Sequence, residues 1–233
     1  AVVCHSGMVK YGPGWQPKTV DWTSTRGGRI LLAASVLFAQ RGYFGTSTRD
    51  IAEAVQIRQP SLFHHFQAKH EVFRELVELD LGPTIDRMNQ RLSEQSTWAE
   101  KLHLAIACDV REILAQPFDA RGLYQDAVLA LDEFSDEREG IALFHEQIER
   151  VVDGGCEAGE FVPFEPSFVL RATNGVLFET LREQGGPGRM RQERPLQAAD
   201  FVVRSLLVDQ SRLPTIQDVT RTRLRDVGVT NAR

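Results

Sequence analysis

Cysteine is scarce in this 233-residue chain: there are three, at Cys4, Cys108 and Cys156. Thiols scattered that widely make neither a disulfide framework nor a zinc site. The expectation is reduced thiols in a cytoplasmic protein. Long apolar runs are missing too. The longest, Ile30 to Ala39, is ten residues with Ser35 inside it, short of the ~18 that a membrane helix needs, so no membrane association is expected. The N-terminus, AVVCHSGMVKYGPGWQPKTVDW, has no basic region followed by an apolar stretch, and no secretory leader is read there. Sustained period-two alternation is absent, which argues against a sheet. The chain also lacks a nucleophile motif, a glycine-rich phosphate loop and a metal-spaced His/Cys/Glu cluster. Neither an enzyme, a cofactor nor a metal site is expected.

What is present is ordinary globular material. The chain is 42% hydrophobic and 25% charged, close to the globular average, enough to bury a core and to exclude wholesale disorder. Its length suits one large domain or two small ones. The net charge of −5 argues against a protein that coats nucleic acid over its whole surface, but that charge is unevenly spread. Within residues 24–70, Arg26, Arg29, Arg41, Arg49, Arg58 and Lys69 face only Asp50 and Glu53, a local +4 that leaves −9 for the remainder. His64, His65 and His70 fall in the same stretch. A small basic unit joined to a larger acidic body is a first hint of function, since a local patch of one sign recruits the opposite charge.

The pattern is helical almost throughout. Residues 1–23, with Gly7, Gly12, Pro13, Gly14 and Pro17, read as an arm, with Trp15 and Trp22 as its anchors. Residues 211–233, with five arginines against two aspartates, read as a mostly mobile basic tail. In the basic unit, Ile30, Leu31, Ala34, Leu37 and Phe38 recur at helical spacing and Gly42 supplies a stop. Ser47 with Asp50 three residues on forms a capping-box-like start for a short helix whose apolar side is Ile51, Ala52 and Val55. After a break at Gln56-Ile57-Arg58, Pro60 fits the first turn of a third helix, with Leu62, Phe63 and Phe66 inward. Two short helices joined by about three residues have helix-turn-helix geometry.

The ordered series Arg41-Gly42-Tyr43, Thr46-Ser47, Asp50-Ile51-Ala52, Leu62-Phe63-His64-His65-Phe66 and Lys69 resembles the DNA-binding domain of the tetracycline-repressor-like (TetR) family of transcriptional regulators. The resemblance covers about a fifth of the chain. It implies an all-α fold with an N-terminal three-helix DNA-binding domain over 24–69, an effector-binding and dimerisation body over 70–210, and a third helix lying in the major groove. It implies that Arg58, Gln59, Ser61 and His64 face DNA, Arg suiting guanine and Gln adenine. It further implies that Thr46, Thr48, Phe63, His65 and Lys69 lie against the phosphates, with Arg26 and Arg29 approaching from the first helix. Thr46 and Ser47 stand at a helix start, where free amides suit a phosphate. Three departures stand out: Gln56 occupies a turn position usually held by glycine, which implies an unusual backbone angle; Arg58 stands where a small cap is usual; Phe63 replaces the usual Tyr. Phe63 and Phe66 also read as core, and His65 either packs on the first helix or touches DNA.

The body reads as helices near 70–81, 83–93, 97–116, 120–131, 136–158, 166–184 and 195–210, with Gly82-Pro83 marking a break or kink. By the resemblance, 166–184 and 195–210 pair with a partner's copies in a homodimer. Their stripes are Phe168, Ala172, Val176, Leu177 and Thr180, and Ala198, Phe201, Val202, Ser205 and Leu206. A two-fold dimer matches two half-sites of a near-palindromic operator. Asp109, His145 and Asn174 fall on otherwise apolar stripes, where burial is costly without partners. Either helix-to-helix hydrogen bonds satisfy them, or they orient a small-molecule effector in an apolar pocket. Tyr124, Phe118, Phe134, Phe144 and Phe178 are candidate aromatic walls or plain core, and His103 and Arg171 are further candidates. Cys108 reads as a structural thiol. The reading is a ligand-responsive repressor released by a small apolar or aromatic effector. The alternatives are a regulator governed by a partner protein or by cysteine redox, and a helical enzyme that kept a reader-like segment, with Asp109 and His145 as its imagined acid–base pair.

Overall fold

The computed structural model describes residues 20–182 and 188–230. The arm therefore lies outside the described residues as far as residue 19, Trp15 included. Ten α-helices are seen among the described residues: α1 (Arg26–Arg41), α2 (Thr48–Ala54), α3 (Gln59–Phe63), α4 (Lys69–Ser93), α5 (Trp98–Ala115), α6 (Asp126–Leu129), α7 (Ser135–Glu157), α8 (Pro166–Arg182), α9 (Gly188–Leu206) and α10 (Leu213–Thr230). The fold is all-α, an N-terminal helix-turn-helix followed by a larger helical part. The chain divides into two compact units, Ala1–Asp86 with Gln116–Leu143, and Arg87–Ala115 with Phe144–Arg233.

The first unit is built around α1. Its buried side chains Ile30, Leu31, Ala34, Leu37 and Phe38 are the apolar series read from the sequence. An aromatic group closes over them. Phe38 lies 5.6 Å from Phe73, and Phe73 lies 4.9 Å from Phe134. Trp22 stacks on Phe118 at 5.2 Å, so Phe118 and Phe134 are core here. Residues 120–131, expected as one helix, are instead a 3-10 turn (Ala120–Gly122) followed by the four-residue α6. Gly122 lies so close to the α1 backbone that a Cβ there would stand 2.5 Å from the Phe38 carbonyl carbon.

In the second unit, α5 packs centrally, with Leu102, Ile106 and Val110 buried against Val152, Val169 and Val203. α4 continues as one helix through Pro83, where a break or kink was expected. The expected mobile tail is also corrected: a 3-10 turn (Gln210–Arg212) leads into α10, which buries Leu213, Ile216 and Thr220. That spacing is helical, so the arginines occupy the outer face and the apolar positions close the core.

Candidate nucleic-acid interface

The helix-turn-helix is positioned by local chemistry. Ser47 caps α2: its hydroxyl accepts from the Asp50 amide at 3.1 Å, and the Asp50 carboxylate accepts from the Ser47 amide at 2.8 Å. Both orphan donors of the helix start are thereby used. The Ser47 hydroxyl holds the Asp50 carboxyl below its ordinary range. In the turn, Gln56 takes φ 58°, the left-handed conformation that glycine adopts without cost. The angle implied by the missing glycine is thus present. α3 then starts with Arg58 as an N-cap that makes no side-chain capping bond, and with Pro60 in the first turn.

The open face of this segment carries Arg58, His64, His65 and Phe63, all exposed, with Ser61 and Gln59 half-buried beside them. Arg26 and Arg29 are exposed on α1. Gln59 is not free: its Nε2 donates to Thr48 Oγ1 at 2.8 Å. Phe63 is 41% exposed, so it is not core; α3 ends there and only Leu62 of its residues is buried.

Two phosphate candidates turn inward. Thr46 is buried, and its hydroxyl donates to the Gly42 carbonyl at 2.9 Å. Lys69 donates through Nζ to the Tyr43 carbonyl at 2.7 Å and the Thr46 carbonyl at 2.9 Å, and lies 4.0 Å above the Tyr43 ring. Partial burial pulls its pKa down. These two residues hold the loop that launches α2, because the carbonyls of Gly42, Tyr43 and Thr46 lie outside any helix and need donors.

Of the eight effector candidates, one lies in the first unit and seven in the second. Tyr124 belongs to the first unit and donates its hydroxyl to Asp80. The others belong to the second. Asp109 is buried, with Arg87 Nη2 3.6 Å away. His103 is fully buried, with Nε2 2.9 Å from Asp200 and Nδ1 2.8 Å from Thr220. Burial lowers its pKa, and it serves as a tie among α5, α9 and α10. His145 is half-buried with its pKa lowered by burial. Asn174 is half-buried and Phe144 packs on the core. Arg171 is exposed and donates to Ser167 on its own helix at 3.1 Å. Phe178 is exposed. Of the three polar positions read as inward, Asp109 is thus paired with a neighbouring helix through Arg87. Cys108 is buried, and burial raises its pKa, which fits a structural thiol.

A different feature emerges on α8 and α9. Phe168 is 52% exposed and Phe201 71%, and with Phe164, Ala172, Val176 and Ser205 they line a shallow apolar depression. Of the two stripes, Thr180, Ala198, Val202 and Leu206 are buried within the chain.

Residues 30–76 match the family model described as bacterial regulatory proteins, tetR family. The chain is 30% identical over 151 residues to the transcriptional repressor KstR2 of Rhodococcus jostii, covering 62% of this chain and 74% of that protein. The chain belongs to the TetR family. Like its TetR relatives it is a DNA-binding transcriptional regulator, not an enzyme. The fold agrees with that of other TetR regulators. The ketosteroid transcriptional regulator KstR2 of Mycobacterium tuberculosis superposes with TM-score 0.69 and 25% identity, over 80% of this chain and 97% of that one. Mycobacterium smegmatis AmtR superposes with TM-score 0.72 and 24% identity, over 90% and 98%. Among the described residues of this TetR protein, no helix is long and apolar enough to cross a membrane.

Proposed function

We propose that this TetR-family protein is a homodimeric repressor. In this reading it binds a near-palindromic operator, with α3 of each subunit in the major groove, and is released by a small apolar or aromatic effector. The observation that carries the reading is the pair of exposed side chains Arg58 and His64 at the two ends of α3, with Ser61 half-buried between them, behind a turn whose Gln56 angle and Ser47 cap fix the helix. No apolar spacing accounts for Arg58, Gln59 or His64, and Arg58 at a groove suits a guanine edge. Dimerisation is supported by the apolar face around Phe168 and Phe201, because aromatic side chains left that open in water favour a covering partner. A two-fold partner also supplies the second half-site.

Repression is supported by similarity to KstR2, named a transcriptional repressor. The apolar effector is supported by the kinship with a protein named a ketosteroid regulator. Release then follows as a population shift: the effector binds better to a state in which the two reading heads are wrongly spaced.

Selection of bound duplexes from a random pool at near-physiological salt tests the reading. An inverted repeat is the expected result. Binding without enrichment, lost steeply with salt, would reduce the basic segment to a phosphate binder. Steroid-like compounds that leave operator affinity unchanged at saturation would remove them as effectors.

A further inference from the structure

We propose that Thr48 is the positioning residue that presets Gln59 to read an adenine at one place in each operator half-site. This rests on the DNA-reading function proposed above and deepens it. Thr48 is the first residue of α2 and Gln59 the first of α3. Their side chains meet across the turn through the 2.8 Å bond from Gln59 Nε2 to Thr48 Oγ1. Thr48 is itself held, since it directly follows the Ser47 cap and its reciprocal bonds with Asp50. A glutamine side chain normally gives up much rotamer freedom when it binds. Here the fold has already chosen the rotamer.

The bond also decides what Gln59 offers. An amide nitrogen has two protons and the amide oxygen two lone pairs. One proton goes to Thr48. The second proton and Oε1 remain, a donor beside an acceptor. Adenine presents the complement in the major groove, an N7 acceptor beside an N6 donor. Guanine shows two acceptors, cytosine a lone donor, and thymine an acceptor beside a methyl group. Arg58 has no comparable support, being exposed and without a capping bond. Thr48 keeps its own hydroxyl proton, which can go to a phosphate, so one side chain ties backbone contact to base contact.

The test is selection from a random duplex pool with the full chain as wild type, Gln59→Ala, Thr48→Val and Thr48→Ser, each checked by thermal melting. The expected result is an adenine at one position of each half-site in wild type. Gln59→Ala relaxes that preference by about five- to a hundred-fold, the range of one bidentate pair. Thr48→Val relaxes the same position, and Thr48→Ser restores it. Should Thr48→Val fail to fold, Thr48→Ala carries the test. The inference is overturned if Thr48→Val weakens binding evenly while keeping the preference, or if Gln59→Ala relaxes a position that is not adenine. A wild type that enriches no motif overturns the DNA-reading function itself.

Discussion

Lys69 sits with its ammonium 2.7 Å from the carbonyl oxygen of Tyr43 and 4.0 Å above the same residue's ring. The side chain thus ties the loop between α1 and α2 to the start of α4, rather than reaching out to solvent. Replacing it by methionine is expected to cost about 2 kcal/mol, the scale of hydrogen bonds to a charged donor, and to weaken operator binding by loosening α2. The slope of log affinity against log salt should stay the same, because no phosphate contact is removed. A slope reduced by about one unit would instead mean that Lys69 neutralises a phosphate.

Gln56 stands at φ 58° in the turn between α2 and α3. A residue with a Cβ pays roughly 1–2 kcal/mol there, which glycine avoids, although glycine also loosens the unfolded chain. Gln56→Gly is expected to raise the melting temperature by a few degrees, and calorimetry of the two proteins decides. A lower melting temperature would show that the Gln56 side chain contributes more than its backbone angle costs.

His103 ties α5 to α9 and α10, and burial holds its pKa below the ordinary 6.5. The folded state therefore binds fewer protons than the unfolded state just below pH 6.5. Stability is fully present above that pH and is lost as pH falls towards the folded pKa. His145 is shifted in the same direction. Melting temperature should fall between pH 7.5 and pH 5.5. In His103→Gln it should be lower at pH 7.5 but fall less over the same interval. An equal fall in both proteins would place the acid sensitivity elsewhere.

Phe201 is 71% exposed on α9. Phe201→Asp removes little packing from the chain itself, so the stability of the isolated subunit should change by no more than a surface substitution does, about 0.5 kcal/mol. If this face covers a second copy, a carboxylate in it is costly, and sedimentation should show a monomer with weakened operator binding. A dimer of unchanged strength would locate the interface away from α8 and α9.

The reader was legible because its rules are local. Ser47 and Asp50 are three residues apart, and Gln56 is conspicuous only because its turn favours glycine. The inward turn of Lys69 was not legible, since it depends on where the carbonyls of Tyr43 and Thr46 point after the chain has folded. The same holds for His103, whose partner Thr220 lies 117 residues away: periodicity shows that a polar side chain faces in, but not what meets it. α10 was misread because arginine content outweighed the spacing of Leu213, Ile216 and Thr220. The exposure of Phe168 and Phe201 was half legible, for a stripe does not say which of its members a helix neighbour already covers.

α3 is only five residues long. At 1.5 Å per residue its axis spans about 7.5 Å, little more than two base-pair steps of 3.4 Å. In the proposed dimer, a rod that short inspects a few letters of sequence in each half-site, so its vocabulary alone is too small to mark a unique address in a genome. Two rods at a set separation multiply their vocabularies, and the distance between them becomes part of the message. For a reader built this way, information is stored in geometry as much as in side chains.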